Sequence, residues 1–357
     1  MKKAILYEKK KQNYVRCTCC RHKCVISPGK FGICGVRKNI NGDLYLAVYG
    51  KAVAVHTDPI EKKPLFHFMP GAEAFSLGTI GCNFRCSFCQ NWDISQAVEN
   101  VKKMYKNPDK KEIIIGEICE EGQDLPPRKI VEYCRENKIP IISYTYNEPT
   151  IFAEYAGDTA KLAMKHGIKN VFVSNGYESE ECLEYMKDWC DAINIDIKAF
   201  TDKFYIDICK AKLKNVLKTV KEAYEKGFWI ECTTLVIPNL NDSDDELKSI
   251  AEFIANISVD IPWHISAFHP DYKMTDVSST PIETLERAWK IGKSSGLKFV
   301  YTGNIPGLKH ENTYCPKCDE LLIDRMGMSC SKNNLKIDDE GIAECSQCGE
   351  VIPGIWK

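Results

Sequence analysis

The sequence predicts an α/β fold: a partial (β/α)6-type parallel barrel, preceded by a small cysteine-rich region and followed by a zinc-ribbon-like tail. Between about residues 74 and 304, short runs of β-branched and aromatic residues alternate with stretches of helical period, as in parallel βα units. Several helical stretches end at a glycine directly before the next apolar run, and polar motifs follow the apolar runs. Six or seven such repeats are too few for a closed eight-fold barrel and suit an open one.

Seven short segments are predicted to be strands, because each is apolar and rich in β-branched or aromatic residues. In chain order they are AFSLGTI, IPIISYTY, NVFVSN, AINIDIK, FWIECTTLVI, WHISAF and LKFVYTG.

Helices are predicted in the intervals between these strands. They occupy 126–138, 151–166, 179–189, 212–226, 242–256 and 282–295. A glycine closes three of them, in MKHGIKN, YEKGFWI and KSSGLKF, and glycine permits the left-handed C-cap of an αβ loop. Asp242 or Ser243 can cap the helix DDELKSIAEFIANI, and Pro281 suits the first turn of the last helix.

Polar motifs follow five of the predicted strands. They are GCNFRC after the first, TYNEPT after the second, SNGY after the third, DIK at the end of the fourth and FHPDY after the sixth. The carboxyl ends of parallel strands meet at one edge of the sheet, where ligands of such folds bind. The five motifs are therefore expected to converge on one pocket.

The flanks lack the βα repeat. We therefore expect three regions: a cysteine-rich metal-binding region at 1–73, the partial barrel at 74–308 and a zinc-ribbon-like tail at 309–357. The tail is punctuated by cysteine and glycine and ends in PGIWK.

Composition narrows the class of protein. The 357 residues are 44% hydrophobic and 27% charged, with a net charge of −1, so the chain can bury a core and has no basic excess for binding nucleic acid. The start, MKKAILYEKKKQ, has no apolar core of a signal peptide, and no apolar run is long enough to span a membrane. We therefore expect a soluble cytoplasmic protein, in which the 19 cysteines serve as metal ligands or buried apolar groups rather than in disulfides.

The first strand-end motif carries three cysteines with no fourth nearby. Cys82, Cys86 and Cys89 are spaced C-x3-C-x2-C. Structural zinc sites and ferredoxin clusters take four protein ligands, whereas a cubane 4Fe–4S cluster held by three thiolates leaves one iron open to a substrate or cofactor. Phe88 would help to shield such a cluster, and Gly81 lets the loop turn tightly after the strand.

Four cysteines near the N-terminus form a second group. Cys17, Cys20, Cys24 and Cys34 are spaced C-x2-C-x3-C-x9-C. They suit either a second, fully ligated 4Fe–4S cluster or a zinc knuckle with His22 nearby. Cys19 could replace either neighbouring ligand.

Four cysteines in the tail form a third group. Cys315, Cys318, Cys345 and Cys348 are spaced C-x2-C-x26-C-x2-C, which predicts a zinc ribbon, with rubredoxin-like iron as the alternative. Metal binding would hold this small region folded, and the ribbon is a candidate for docking a protein partner.

The motif C-x3-C-x-aromatic-C after the first barrel strand resembles that of the radical S-adenosylmethionine (SAM) superfamily. Over nearly its whole length the chain is similar to the radical SAM enzymes of the AmmeMemoRadiSam system, which are related to the pyruvate formate-lyase (glycyl radical enzyme) activating enzymes. The segments that carry the similarity are CTCCRHKCVISPGKFGICGVR, DPIEKKPLFHFMPG, GTIGCNFRCSFCQNWDISQ, YTYNEPTIF, VIPNLND, HISAFHPDYKM and YCPKC…CSQCG…IPGIW.

The resemblance implies a 4Fe–4S cluster on Cys82, Cys86 and Cys89, whose open iron chelates the amine and carboxylate of SAM. In the superfamily one electron from the cluster cleaves SAM to methionine and a 5′-deoxyadenosyl radical, which takes a hydrogen atom from the substrate. An electron donor such as ferredoxin or flavodoxin is implied as a partner.

The resemblance also implies roles for residues at the next two strand ends. Glu148 resembles the acidic residue that receives the SAM ammonium group, although Tyr146 and Asn147 stand where the family has glycines. The alternative is that Glu148 caps a helix. Ser174 and Asn175 resemble polar groups near the sulfonium or ribose of SAM.

Residues at the later strand ends resemble further SAM-site groups. Asp196 and Lys198 resemble an Asp-x-Lys of glycyl radical activating enzymes and point to one face of their strand, where a simple ion pair is the alternative. His269 resembles a ribose contact, and His264 suits either the core or the site.

Three functions remain open on the sequence. The chain could generate a radical on a partner protein, as an activating enzyme does, or act on a small molecule. The third alternative, a non-enzymatic iron–sulfur or zinc scaffold, leaves Glu148, Asp196 and Lys198 unexplained.

Overall fold

The N-terminal region of the computed structural model is built from short antiparallel strands; the structure describes residues 1–305 and 310–357. Strands β1, β6 and β5 form one three-stranded sheet, and β2, β3 and β4 form another. The strands are β1 (Lys2–Lys3), β2 (Tyr7–Lys9), β3 (Val15–Cys17), β4 (Val25–Ile26), β5 (Arg37–Ile40), β6 (Asp43–Leu46), β7 (Lys51–Ala52) and β8 (Ala54–Pro59).

An eight-stranded sheet forms the centre of the molecule. Its strands, in spatial order, are β16, β15, β14, β13, β12, β11, β9 and β8. The bounds from β9 onward are β9 (Glu73–Gly78), β10 (Gln123–Asp124), β11 (Ile141–Tyr144), β12 (Lys169–Ser174), β13 (Ala192–Asp196), β14 (Trp229–Val236), β15 (Trp263–Ala267) and β16 (Val300–Gly303). The seven strands from β9 to β16, without β10, pair in parallel. The predicted partial parallel barrel is confirmed.

Helices connect the parallel strands. They are α1 (Trp92–Ser95), α2 (Ala97–Met104), α3 (Pro108–Ile118), α4 (Pro127–Glu136), α5 (Ala153–Ala163), α6 (Glu180–Met186), α7 (Asp202–Phe204), α8 (Leu213–Glu225), α9 (Asp244–Ile257) and α10 (Ile282–Ser294). Short 3-10 turns occupy Lys11–Asn13, Ile60–Lys62, Pro149–Phe152 and Met164–His166, and a π-turn occupies Tyr205–Cys209. Gly167, Gly227 and Gly296 all have positive φ, as the predicted C-caps require. Ser243, rather than Asp242, caps α9 by accepting from the Glu246 N–H.

The structure adds elements that the sequence pattern did not reveal. Helices α1, α2 and α3 lie between β9 and β11, where no helix before 126 was predicted. Strand β8 pairs antiparallel with β9, so the sheet begins before the expected boundary at residue 73. The other expected boundary, at 308, lies outside the described residues.

The tail folds into two three-stranded sheets, β17–β18–β19 and β20–β21–β22. Its strands are β17 (Thr313–Tyr314), β18 (Leu321–Met326), β19 (Ser329–Asn333), β20 (Leu335–Ile337), β21 (Ala343–Cys345) and β22 (Val351–Ile352). Ile323 and Leu322 of the tail share a buried cluster with Phe66, Phe299 and Tyr301. The tail therefore packs against the amino-terminal end of β16.

Among residues 1–305 and 310–357, no helix combines the length and the apolar character needed to cross a membrane.

Candidate active site and metal centres

The loop that follows β9 carries the three cysteines of the C-x3-C-x2-C motif. Gly81 opens it with φ of +90°, a conformation that glycine adopts without strain. The Arg85 and Ser87 amides donate to the carbonyls of Cys209 and Ile208 at 3.0 and 3.1 Å, which fixes the loop against the π-turn. The loop is thus positioned at the carboxyl end of the first parallel strand.

Polar groups surround the three thiols. The Phe84 N–H and the Asn175 amide donate to Cys82 Sγ at 3.4 and 3.7 Å, and Ser95 Oγ lies 3.1 Å from Cys89 Sγ. Burial raises the pKa of the Cys82 thiol well above its usual value, so a metal that binds there displaces a proton. Three thiols on one loop, with hydrogen-bond donors to their sulfurs, fit an iron–sulfur cluster.

The segment TYNEPT holds this loop from the side of β11. Tyr146 has φ of +71°, so it adopts the left-handed conformation suited to the glycine of the family pattern. The Asn147 amide donates to the Gly81 carbonyl at 2.8 Å, and the Asn91 amide donates to the Tyr146 carbonyl at 2.9 Å. The substituted positions therefore serve to clamp the cysteine loop.

Glu148 lies at the end of β11 with its side chain only 1% exposed. Its Oε2 accepts from the Asn175 N–H at 2.7 Å, and its Oε1 accepts from the Thr150 N–H at 3.0 Å. Through the second contact Glu148 caps the 3-10 turn Pro149–Phe152. Because the Asn175 side chain reaches Cys82 Sγ, the carboxylate also lies beside the cysteine loop.

A second buried carboxyl group, Glu178, lies beside Glu148. Thr150 Oγ1 contacts Oε1 of Glu148 at 2.5 Å and Oε1 of Glu178 at 2.9 Å, and Ser174 Oγ contacts the same two oxygens. Burial, and then the charge of Glu178, raise the pKa of Glu148 to about 7. Burial also raises the pKa of Glu178.

Asp196 and Lys198 form a direct ion pair at the end of β13, with Lys198 Nζ 2.6 Å from Asp196 Oδ2. Burial would lower the pKa of Lys198, but the Asp196 carboxylate outweighs it and raises the pKa above its usual value. The ammonium lies 5.8 Å from the ring centre of Phe88, which is buried beside the cysteine loop. Asp196, Lys198 and Phe88 thus lie together on one side of the loop.

The two histidines of the sixth strand have different surroundings. His269 is exposed after β15, and its Nε2 lies 2.8 Å from the Gln90 amide nitrogen, next to Cys89. His264 lies near the start of β15, where its Nε2 is 2.6 Å from Oε2 of the fully buried Glu231. His264 is therefore part of the core at the opposite end of the strand from the cysteine loop.

The four N-terminal cysteines surround one small, largely enclosed cavity. Cys17, Cys20, Cys24 and Cys34 all line it, together with Asn83 of the cysteine loop. Cys24 is half-buried and the other three are buried. The sequence predicted that these four thiols form one site, and in the structure all four line the same cavity.

The four tail thiols converge closely. Cys315 Sγ lies 3.6 Å from Cys348 Sγ, and Cys318 Sγ lies 3.6 Å from Cys345 Sγ. Sulfurs bound to one tetrahedral zinc at about 2.3 Å would lie roughly 3.8 Å apart, so this arrangement fits a ribbon-type metal site. Desolvation opposes ionisation of Cys345, but the amides of Cys348 and Gln347 and neighbouring thiols lower its pKa to about 7, which favours metal binding.

Sequence reasoning missed two residues beside the site. Glu178 directly precedes the predicted helix 179–189, and only its proximity to Glu148 in space distinguishes it from an ordinary acid near the start of a helix. Cys209 belongs to none of the three predicted cysteine groups, yet its thiol lies near that of Cys86. Neither residue has a local sequence signal for these contacts.

Comparison with known proteins agrees with this geometry. The radical SAM superfamily matches residues 77–254. An uncharacterized protein of Methanocaldococcus jannaschii is 46% identical over 353 residues, which cover 99% of each chain. The pyruvate formate-lyase 1-activating enzyme of Escherichia coli K12 is 21% identical and is matched over 62% of this chain and 89% of its own. The pyruvate formate-lyase-activating enzyme of Clostridium pasteurianum is 24% identical, over 59% of this chain and 86% of its own.

Proposed function

The chain belongs to the radical SAM superfamily and is related to activating enzymes of glycyl radical enzymes, and from this premise we propose that it cleaves SAM at the Cys82–Cys86–Cys89 loop to abstract hydrogen from a partner protein. The observation that carries the proposal is the position of this loop beside Glu148 and the Asp196–Lys198 pair, all at carboxyl ends of parallel strands.

Cys82, Cys86 and Cys89 would hold the 4Fe–4S cluster. When bound, the cluster supplies the electron that splits SAM into methionine and a 5′-deoxyadenosyl radical. Polar contacts from Asn175 and Ser95 to the sulfurs stabilise the thiolate form of the ligands.

The remaining site residues would orient SAM. Glu148 has an ionisable carboxylate beside the loop and would accept a charge-assisted hydrogen bond from the SAM amino group. Ser174 and Asn175 hold that carboxylate in place. Lys198 and Asp196 lie on the Phe88 side of the loop, and His269 lies at its exposed side, where the ribose would bind.

The substrate proposal rests on the relatives. Two of them are named as enzymes that activate pyruvate formate-lyase, which is a protein substrate. In this chain, Trp92 and Tyr272 stack at 5.2 Å beside the cysteine loop, and Trp92 is 40% exposed. A partly exposed aromatic pair beside the cysteine loop suits contact with a polypeptide.

The proposal includes two further components. Zinc would bind the four tail thiols, whose spacing fits a tetrahedral ion. A ferredoxin or flavodoxin would supply the electron for SAM cleavage.

The test is replacement of Cys86 by alanine in the anaerobically purified chain. We expect the variant to lose both the cluster and the formation of 5′-deoxyadenosine from SAM under reducing conditions, as measured by iron content and chromatography. Cys134→Ala is the matched control, because Cys134 is equally buried but lies in α4, away from the loop. SAM cleavage that survives in Cys86→Ala would overturn the proposal.

A further inference from the structure

We infer that Cys17, Cys20, Cys24 and Cys34 hold a second 4Fe–4S cluster, which passes electrons to the cluster site at Cys82, Cys86 and Cys89. The assignment of the metal stands on the geometry of the N-terminal cavity and on its comparison with the other two cysteine sites. The electron-transfer role rests in addition on the proposed function.

The first argument is the spacing of the thiols. Within residues 1–305 and 310–357, the four tail cysteines are the only group of three or more potential ligands whose atoms all lie within 4.8 Å of one another. Ligands of a single zinc ion fall within this limit, since their sulfurs lie roughly 3.8 Å apart. The four N-terminal thiols line one cavity, but no three of them lie within this limit of one another, so they suit a group larger than one ion.

The thiols of the Cys82–Cys86–Cys89 loop can be compared with the N-terminal thiols. Cys82, Cys86 and Cys89, which the proposed function assigns to a cluster, are likewise not drawn together within 4.8 Å in the described part of the chain. A cubane cluster places four irons and four sulfides between its thiolates, which keeps them apart. The N-terminal set therefore resembles the iron–sulfur loop rather than the ribbon.

The competing ligands are engaged elsewhere. Nε2 of His22 lies 2.9 Å from the Asn83 carbonyl, and its ring packs on Tyr177 at 4.8 Å. The Cys19 thiol donates to the Thr150 carbonyl at 2.8 Å. These contacts leave four thiols for the cavity, which is the donor set of a fully ligated 4Fe–4S cluster.

The second argument is the contact between the two cysteine sites. Asn83, which directly follows Cys82, lines the N-terminal cavity. Gly81, which directly precedes Cys82, is so close to Cys34 that an added Cβ would lie 2.5 Å from the Cys34 carbonyl oxygen. A single chain segment therefore separates the two sites, close enough for one-electron transfer between them.

Electrons would reach the N-terminal cluster from the protein surface at Cys24, the half-buried member of the four N-terminal cysteines. Nearby, the Lys102 ammonium donates to the Ile33 carbonyl at 2.8 Å, which leaves a positive group next to the cavity. A reduced low-potential ferredoxin would give one electron to the N-terminal cluster, which would give one electron to the second cluster. No bond or proton changes in either transfer, and the electron is consumed when SAM is cleaved.

The first experiment counts metals in a variant that lacks the radical SAM loop ligands. The triple variant Cys82→Ala/Cys86→Ala/Cys89→Ala, purified or reconstituted anaerobically, is expected to keep one 4Fe–4S cluster per chain, visible by electron paramagnetic resonance after reduction. A variant with no iron and one additional zinc would overturn the inference. Because this readout involves no SAM, it is independent of the proposed function, which wild-type SAM cleavage tests.

The second experiment tests the relay. In Cys24→Ser, we expect the ratio of ferredoxin-driven to dithionite-driven SAM cleavage to fall at least tenfold, because dithionite can reduce the loop cluster directly. Cys19→Ala is the matched control, since it removes a buried thiol from the same cavity wall and should keep both iron and the ratio. An unchanged ratio in a Cys24→Ser protein that has lost the N-terminal cluster would make that cluster structural and overturn the relay.

Discussion

Glu148 and Glu178 contact the same two hydroxyl groups, and this arrangement limits how many protons the four groups share. Ser174 and Thr150 can each donate one proton, yet the two hydroxyls make four contacts with the two carboxyl groups. The remaining contacts need a proton on a carboxyl group, which burial of both acids also favours. The pair therefore holds a proton near neutral pH, and a cation arriving at Glu148 would displace it.

This proton makes SAM binding dependent on pH. The pKa of Glu148 is raised to about 7, so below pH 7 the carboxyl group is mainly neutral and lacks its attraction for an ammonium group. With that pKa, the ionised fraction rises roughly tenfold from pH 6 to pH 8, and we expect SAM affinity measured by calorimetry to rise by about the same factor. In Glu178→Gln, loss of the neighbouring charge should lower the pKa of Glu148 and shift this rise to lower pH. A SAM affinity independent of pH over this range would contradict the assignment.

Replacing Glu148 itself tests its role more directly. Glu148→Gln keeps the size and the capping contact with Thr150 but removes the charge, and a hydrogen bond to a charged group contributes about 1.5–3 kcal/mol. SAM affinity in a binding titration should therefore fall about tenfold or more. Glu180→Gln, at an exposed position in the first turn of α6, is the control and should bind SAM as the wild type does. Equal affinity in both variants would leave Glu148 with its capping role alone.

At the scale of elements, the loop after β9 depends on one glycine. Gly81 has φ of +90°, and an added Cβ would meet the Cys34 carbonyl oxygen at 2.5 Å. Gly81→Ala should therefore displace the loop from the N-terminal region, and we expect lower iron content and a lower melting temperature. Gly116→Ala is the matched control, because Gly116 lies in α3 with open space around it, and alanine there should stabilise the helix by about 0.5–1 kcal/mol. Full iron content in Gly81→Ala would show that the loop does not need this backbone conformation.

Comparison of the predicted with the observed strands and helices shows which elements can be recognised from the sequence. The seven parallel strands and the helices α4, α5, α6, α8, α9 and α10 were predicted because each has a local apolar period and several end at a glycine with positive φ. Helix α3 was missed because its apolar residues, IIIGEI, cluster rather than repeat, and strand β8 because it is polar and half-exposed. The Glu148–Glu178 contact joins residues 30 apart and depends on neighbouring strands, so no local pattern could indicate it. The cysteine sites were visible because their ligands are close in sequence.

At the scale of the whole molecule, the tail and the cysteine loop lie at opposite ends of the barrel strands. The loop follows the carboxyl end of β9, whereas tail residues pack near the amino end of β16. His67 links the tail to β16, since its Nε2 lies 2.6 Å from the Tyr301 hydroxyl and its Nδ1 lies 2.7 Å from the Pro353 carbonyl of the tail. The tail therefore supports the base of the barrel rather than covering the proposed SAM site.

A fully buried ion pair joins the tail to the segment between β8 and β9. Arg325 Nε lies 3.5 Å from Glu61 Oε1, and its other nitrogens donate to the Phe66 carbonyl and the Thr313 hydroxyl at 2.7 and 2.8 Å. Arg325→Met would leave Glu61 buried without its partner, which typically destabilises a protein by about 3–5 kcal/mol, so we expect a clear fall in melting temperature.

A control variant and a measurement of iron content distinguish this stabilising role from a role in the proposed active site. Lys317→Met removes an exposed pair with Glu350 and should change stability by less than about 1 kcal/mol. Both variants should keep the iron of the wild type when they are purified below their melting temperatures, because neither residue lies near the cysteine loop. Loss of loop iron from folded Arg325→Met would mean that the tail acts on the proposed active site through the barrel strands, and would contradict its placement as a support at the opposite end.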